Sequence, residues 1–314
     1  MSGGTPRYAA AYEDGITEVV EGEVDATAQP PIPKSQKRWT RFILPTYTTL
    51  FIIYLIIPIA VMIVFAFNTP TGRYNIKWEH ASLEAWRNLF SFPDLTTSLK
   101  LTLEVAVLAT LFSTLLGTFI GLSLGRYRYR GQGIMNFVIF LAIASPEIVL
   151  GSSMLSMFVN ARVPQGFVTI LLAHIMFCIA FVSITVRARV SGMDRSLEEA
   201  AGDLGADPRT TFFKVTLPLI LPGVIAGALL AFALSIDDYV ITNFVAGSKT
   251  TFPLWVFGAT RQGIPVQVNV MGTLLFTFGI LVVVAQLLVA QLKTRSDNRR
   301  VAEDKARLAA AQTS

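Results

Sequence analysis

Six long apolar runs separated by short polar segments organise this chain. Residues 42–67, 163–186 and 264–292 carry no Asp, Glu, Lys or Arg. Residues 101–124 carry only Glu104, residues 134–161 only Glu147, and residues 217–246 only Asp237 and Asp238. A helix needs ~20 predominantly apolar residues to cross a bilayer, and each run meets that length. The pattern predicts spans over about 42–67, 101–124, 134–160, 165–186, 217–246 and 268–292. The expected fold class is therefore an all-α polytopic membrane protein with six transmembrane helices. A membrane domain over 42–293 would lie between a tail at 1–41 and a second tail at 294–314.

Composition agrees with the pattern. Of 314 residues 53% are hydrophobic and 15% charged, against ~25% charged in ordinary soluble domains. The first 33 residues differ: Glu13, Asp14, Glu18, Glu21, Glu23 and Asp25 precede Pro30-Pro31-Ile32-Pro33. Such a stretch cannot bury enough apolar surface to order itself and is expected to be disordered. It lacks the basic start and short apolar region of a signal peptide, so the first run is expected to be an uncleaved span.

Charge then sets the orientation. With the N-terminus inside, 19 of the 26 Lys and Arg residues fall on the cytoplasmic side, as the positive-inside bias requires. Both termini and the segment between spans four and five are expected in the cytoplasm. The net charge of +5 is thereby a topology signal, and nucleic-acid binding is not implied.

Several chemistries drop out. The single cysteine, Cys178, cannot form a disulfide within the chain or a thiolate metal site, and is expected to pack as a small apolar residue. His174, alone within the fourth span, reads as a hydrogen-bond partner between helices rather than a metal ligand. Gly247-Ser248-Lys249-Thr250 lacks the glycines that make a phosphate loop. No catalytic residue, metal site or cofactor is expected in the chain itself. The second span carries Gly117, Gly121 and Gly125 at four-residue spacing, and the fifth carries Gly223 and Gly227. Small residues at this spacing allow close approach of helices, here read as packing within one subunit.

The segment Glu198-Glu199-Ala200-Ala201-Gly202-Asp203-Leu204-Gly205-Ala206-Asp207-Pro208, continuing to Leu217-Pro218, is too structured for a plain connector. Ser196 and Glu199 have the spacing of a capping box. Gly205 suits a left-handed helix stop. Asp207-Pro208 suits a restart, with proline at the first helical position. Leu217-Pro218 is expected to end that second short helix. The prediction is a cytoplasmic helix–turn–helix that serves as a docking surface.

Glu199-Ala200-Ala201, three residues, Gly205, nine residues, Val215, one residue, then Leu217-Pro218 is similar to the signature of type I ABC importer permeases, with Val215 where the pattern has isoleucine. The resemblance covers roughly 42–293. It implies that the first short helix is a coupling helix seated in a separate cytoplasmic ATPase subunit, which binds the ATP. It also implies two ATPase copies, a second homologous permease subunit in a heterodimer, an extracellular substrate-binding protein and a prokaryotic plasma-membrane location. Residues expected to carry the coupling are Glu199, Ala200, Ala201, Gly205, Asp207, Leu217 and Pro218. Glu199 would pair with a basic group of the ATPase, or complete the capping box, or both.

Intramembrane acids point to the cargo. A central ionised Asp costs ~2.5–3.5 kcal/mol on insertion scales, so a chain retains it only beside a partner or a wet path. Asp237 and Asp238 are expected toward the outer half of span five. Adjacent helical residues diverge by ~100°, so at most one faces a central path squarely. Alternatively, Ser235 and Asp237 cap a helix that resumes after a break. Glu147, preceded by Pro146, is expected near the midplane beside irregular backbone, or in a protonated interhelical hydrogen bond. Glu104 reads as interfacial. Acids unaccompanied by basic residues favour a cationic solute. Leu234-Ser235-Ile236-Asp237-Asp238-Tyr239-Val240-Ile241, with Pro146-Glu147-Ile148-Val149, resembles the second membrane subunit of spermidine/putrescine permeases. That implies a pathway over Glu147, Asp237 or Asp238, and Tyr239 as a cation–π surface. The same machine carrying iron, thiamine or another organic solute, and a cation- or proton-coupled secondary carrier, remain the alternatives.

Overall fold

The computed structural model describes residues 40–312, with side chains over 42–288 and at 291–292. The acidic tail expected before residue 40 lies outside these. The described residues up to Ala60 form one unit and those from Val61 to Gln312 a second. The described part of the first unit is the leading stretch of a helix, α1 (Thr40–Phe65), which contains Pro45 and Pro58.

The second unit is built from helices, and no strand occurs among the described residues. After a short α2 (Glu84–Arg87) comes α3 (Pro93–Arg126), whose 34 residues give about 51 Å at 1.5 Å per residue. That exceeds a ~30 Å hydrocarbon layer, so α3 extends beyond the predicted span. The third apolar run is not one helix. It divides into α4 (Gln132–Ala144) and α5 (Glu147–Asn160), set at 109° across Ser145-Pro146. Proline lacks the N–H that would continue α4, and the residue before it avoids the helical region. Neither piece reaches ~30 Å alone. Among the described residues five helices are long and apolar enough to cross a membrane, and the bent pair makes a sixth span when counted as one.

Helix α6 (Phe167–Ser191) is the centre of the unit. Ile170, Ala173, Phe177, Cys178, Val182, Val186 and Val190 are buried along it. Helix α3 lies against it through glycine. A Cβ at Gly117 would stand 2.7 Å from Val182 Cβ, and one at Gly121 2.7 Å from the Ser183 carbonyl. The small-residue stripe thus packs within one subunit, as expected. Cys178 is fully buried, its thiol directed at the Ala231 carbonyl at 3.5 Å.

The chain then makes α7 (Ser196–Asp203) and α8 (Pro208–Thr211), a π-helical turn over Phe212–Thr216, and α9 (Leu217–Asp237). Leu217-Pro218 does not end the second short helix. The helix runs through it into the fifth span, because the wider π turn leaves room where the Pro218 ring would clash with the preceding turn. The fifth span also breaks, after Asp237, and resumes as α10 (Val240–Val245). A short α11 (Phe252–Ala259) leads to α12 (Val266–Gln312), which carries helix through most of the segment expected as a C-terminal tail. The loop after α1 is ordered by Asn68. Its side chain donates to Asn75 Oδ1 at 2.7 Å and accepts the Glu79 N–H at 2.9 Å. Trp86 stacks on Phe67 at 5.1 Å, while Trp78 and Phe90 are exposed.

Candidate coupling segment and solute path

The coupling segment starts with a different cap from the one its sequence spacing implied. Asp194 Oδ1 accepts the Ser196 N–H at 3.0 Å, and Ser196 is the first residue of α7 rather than its cap. The Ser196–Glu199 box is absent, because Asp194 already stands two residues upstream with a better acceptor. That backbone N–H holds the Asp194 carboxyl below the usual carboxylate range. Its contribution is therefore complete at neutral pH and is lost only as pH falls through the lowered value.

The stop and restart are as expected. Gly205 has φ +83°. Its N–H reaches the Gly202 carbonyl at 2.8 Å, and the Ala206 N–H reaches Ala201 at 3.0 Å, the paired bonds of a Schellman stop. Asp207 is extended, with Pro208 at the first position of α8. Glu199, Ala200 and Gly205 are exposed, Ala201 is half-buried, and Leu204 is 89% exposed.

Glu198, one residue away, does the opposite. Its Oε2 pairs with Arg126 Nη2 at the end of α3, and its Oε1 accepts the Thr216 hydroxyl at 2.7 Å. Sequence reasoning passed over Glu198 and Arg126. The available signal was the acidic doublet, since neighbours ~100° apart on a short helix point in different directions and can meet different partners.

The intramembrane acids gather where helices break. Glu147 opens α5 and is exposed, rather than standing midway along a continuous span. One turn on, Gly151 abuts α10: a Cβ there would stand 3.2 Å from Ile241 Cα.

The two aspartates part company. Asp238 is buried and caps α10, its Oδ2 accepting the Thr242 N–H at 2.8 Å and the Thr242 hydroxyl at 2.6 Å. His174 braces this corner, with Nδ1 on Ser235 Oγ at 2.7 Å, Nε2 on Thr242 Oγ1 at 2.8 Å and Asp238 Oδ2 at 3.4 Å. The helix-resuming cap is thus Asp238, not Asp237, and the intramembrane histidine joins helices as expected. Asp237 is exposed at the C-terminal end of α9, where free helix carbonyls add negative potential. It is the one charged group lining a cavity of about 750 Å³ between α3, α9 and α12, walled by Phe232, Ile236, Phe278 and Val283, with Thr110 on α3. Tyr239 is half-buried, its ring 4.7 Å from Phe257.

Such a bundle, with apolar spans broken beside their acids and a short helix pair offered between two of them, is the framework of a transport permease. Residues 113–301 match the family described as binding-protein-dependent transport system inner membrane component. The chain is 35% identical over 245 residues to the spermidine/putrescine transport system permease protein PotC of Escherichia coli, covering 78% of this chain and 92% of that one. It is 34% identical over 257 residues to the putrescine transport system permease protein PotI of the same organism, covering 79% and 89%. In fold it is similar to a bacterial ABC transporter that imports alginate, at TM-score 0.60 and 18% identity over 82% of this chain and 99% of that one. The inward-facing MetNI methionine ABC transporter follows at TM-score 0.53 and 18% identity, over 61% and 92%. The chain belongs to the inner-membrane permease family of ABC importers. It is a transport subunit rather than an enzyme.

Proposed function

We propose that the chain is one membrane subunit of an ATP-driven importer that passes a polyamine, spermidine or putrescine, by alternating access. Its partners are two copies of a cytoplasmic ATPase subunit, a second and different permease subunit, and an extracellular substrate-binding protein. ATP is bound and hydrolysed in the ATPase subunits. Both termini and α7 face the cytoplasm, the side that holds most of the Lys and Arg residues.

Energy enters through α7. Glu199 pairs with a basic group of the ATPase, with Ala200 and Ala201 on the same short helix, while Gly205 and Asp207 fix its exit angle and Leu217-Pro218 pass the movement to α9. The cargo meets Glu147 and Asp237, with Tyr239 as a neighbouring aromatic face, whereas Asp238 serves the frame. The observation that carries the cargo is Asp237, an exposed carboxylate at a helix C-terminus opening on an apolar-walled cavity. That combination suits an ammonium group joined to a methylene chain: the charge pairs with the acid and the chain with the wall. A polyol has no charge for the acid to meet, and an anion is repelled.

The test is uptake into proteoliposomes holding both permease subunits and the ATPase, supplied with binding protein and labelled solute. ATP-dependent uptake of spermidine or putrescine, competed by neither a sugar nor an inorganic anion, is expected. Uptake driven by an ion gradient without ATP would instead identify a secondary carrier.

A further inference from the structure

Helix α7 has no buried residue. Leu197 on it and Leu204 just after it are exposed, so large apolar side chains do not fix it to the membrane helices. Glu198 provides much of the attachment. One carboxylate oxygen takes Arg126, the last residue of α3, and the other takes the hydroxyl of Thr216, the residue before α9. The Arg126 and Glu198 side chains are only 15% and 18% exposed, and Thr216 is buried. An ion pair so withdrawn from solvent is weakly screened, and removing one member leaves the other uncompensated. A second tether runs beside it: Arg195 Nη2, just before α7, donates to the Arg126 carbonyl at 3.1 Å. Charge placement favours the joint as well, with an acid in the first turn of α7 and a base in the last turn of α3. Thr216 closes the π turn through which the helix enters α9.

We propose that Glu198 is a positioning residue that fastens the coupling helix to α3 and α9 together, so that a displacement of α7 reaches both membrane helices as one movement. Glu199 faces the partner and Glu198 faces the machine. The inference rests on the reading of α7 as the ATPase-docking helix, and adds the element through which its displacement is delivered.

The whole importer in proteoliposomes tests it, with ATP hydrolysis and solute uptake read on the same vesicles. Glu198→Gln keeps an acceptor for Thr216 and removes the charge that holds Arg126. The ATPase subunit is expected to stay bound, while the ATP hydrolysed per solute moved rises roughly tenfold, a middling coupling loss. The charge-exchanged pair, Arg126→Glu with Glu198→Arg, is expected to recover several-fold of that coupling relative to either single variant. Should Glu198→Gln fail to assemble, Thr216→Val deletes only the hydroxyl contact and is expected to raise the ratio less. An unchanged ratio in the variants that assemble overturns the proposal. So does a parallel loss of ATPase binding and uptake, which marks a docking or folding role. An exchanged pair no better than the single variants also overturns it. A wild-type complex that retains no ATPase subunit sinks the importer reading, and this inference with it.

Discussion

Two adjacent aspartates receive opposite assignments from a break of two residues. Asp238 gives its oxygens to the first turn of α10 and to Thr242, with His174 behind it, while Asp237 is left exposed at the end of α9. Asp237→Asn is expected to lower polyamine uptake at least tenfold, with assembly and ATPase binding intact, as read by transport and co-purification. Asp238→Asn is expected to lower stability by about 2 kcal/mol, above the ~0.6 kcal/mol average for an interhelical hydrogen bond in a membrane, because a charged acceptor is lost. Thermal unfolding in detergent reads this as a lower midpoint. His174→Ala combined with it should cost less than the sum of the two, since both belong to one network. Glu198 and Glu199 repeat the lesson on α7: one acid is folded inward to Arg126 and Thr216, the other left outward.

At the scale of elements, the chain spends its prolines and glycines where the bundle changes direction. The Schellman stop at Gly205 depends on φ +83°, a conformation that a Cβ penalises by about 1 kcal/mol. Nothing lies within 4 Å of a Cβ there, so Gly205→Ala tests backbone strain without a clash. Retention of the ATPase subunit on the purified permease is expected to weaken, with the membrane bundle unaffected. Gly121 is the contrasting case. Its Cβ would meet the Ser183 carbonyl at 2.7 Å, and Gly121→Leu is expected to force α3 from α6 and abolish stable expression, measurable by detergent gel filtration. Element existence was legible from apolar run length. The two breaks were only half legible: Pro146 announces the first, but Asp238-Tyr239 carries no proline or glycine. The second break, which the sequence offered only as an alternative with Asp237 as its cap, is stabilised by the local cap from Asp238 and by His174. The partners of His174 lie 61 to 68 residues away in the chain and are not revealed by any local pattern. The π turn was equally silent, since Phe212–Thr216 reads as ordinary helix.

For the whole molecule, the orientation proposed from the charge asymmetry can be tested on the native frame. Leu204 is 89% exposed and Cys178 fully buried, so a cysteine placed at 204 is expected to react with a membrane-impermeant maleimide and the native thiol is not. Labelling only when the cytoplasmic face is accessible confirms the proposed topology; labelling from outside reverses it. By itself the sequence determined the class, the apolar spans and the chain's place in its family, because span length, charge asymmetry and the Glu199–Pro218 spacing are one-dimensional quantities. It also placed the acids at the right positions without assigning them. Only the tertiary structure decided that Asp238 and Glu198 serve the frame while Asp237 and Glu147 are exposed. Which way an acid faces depends on the partners that packing brings to it, and Arg126, His174 and Thr216 reach their acids only once the helices have assembled.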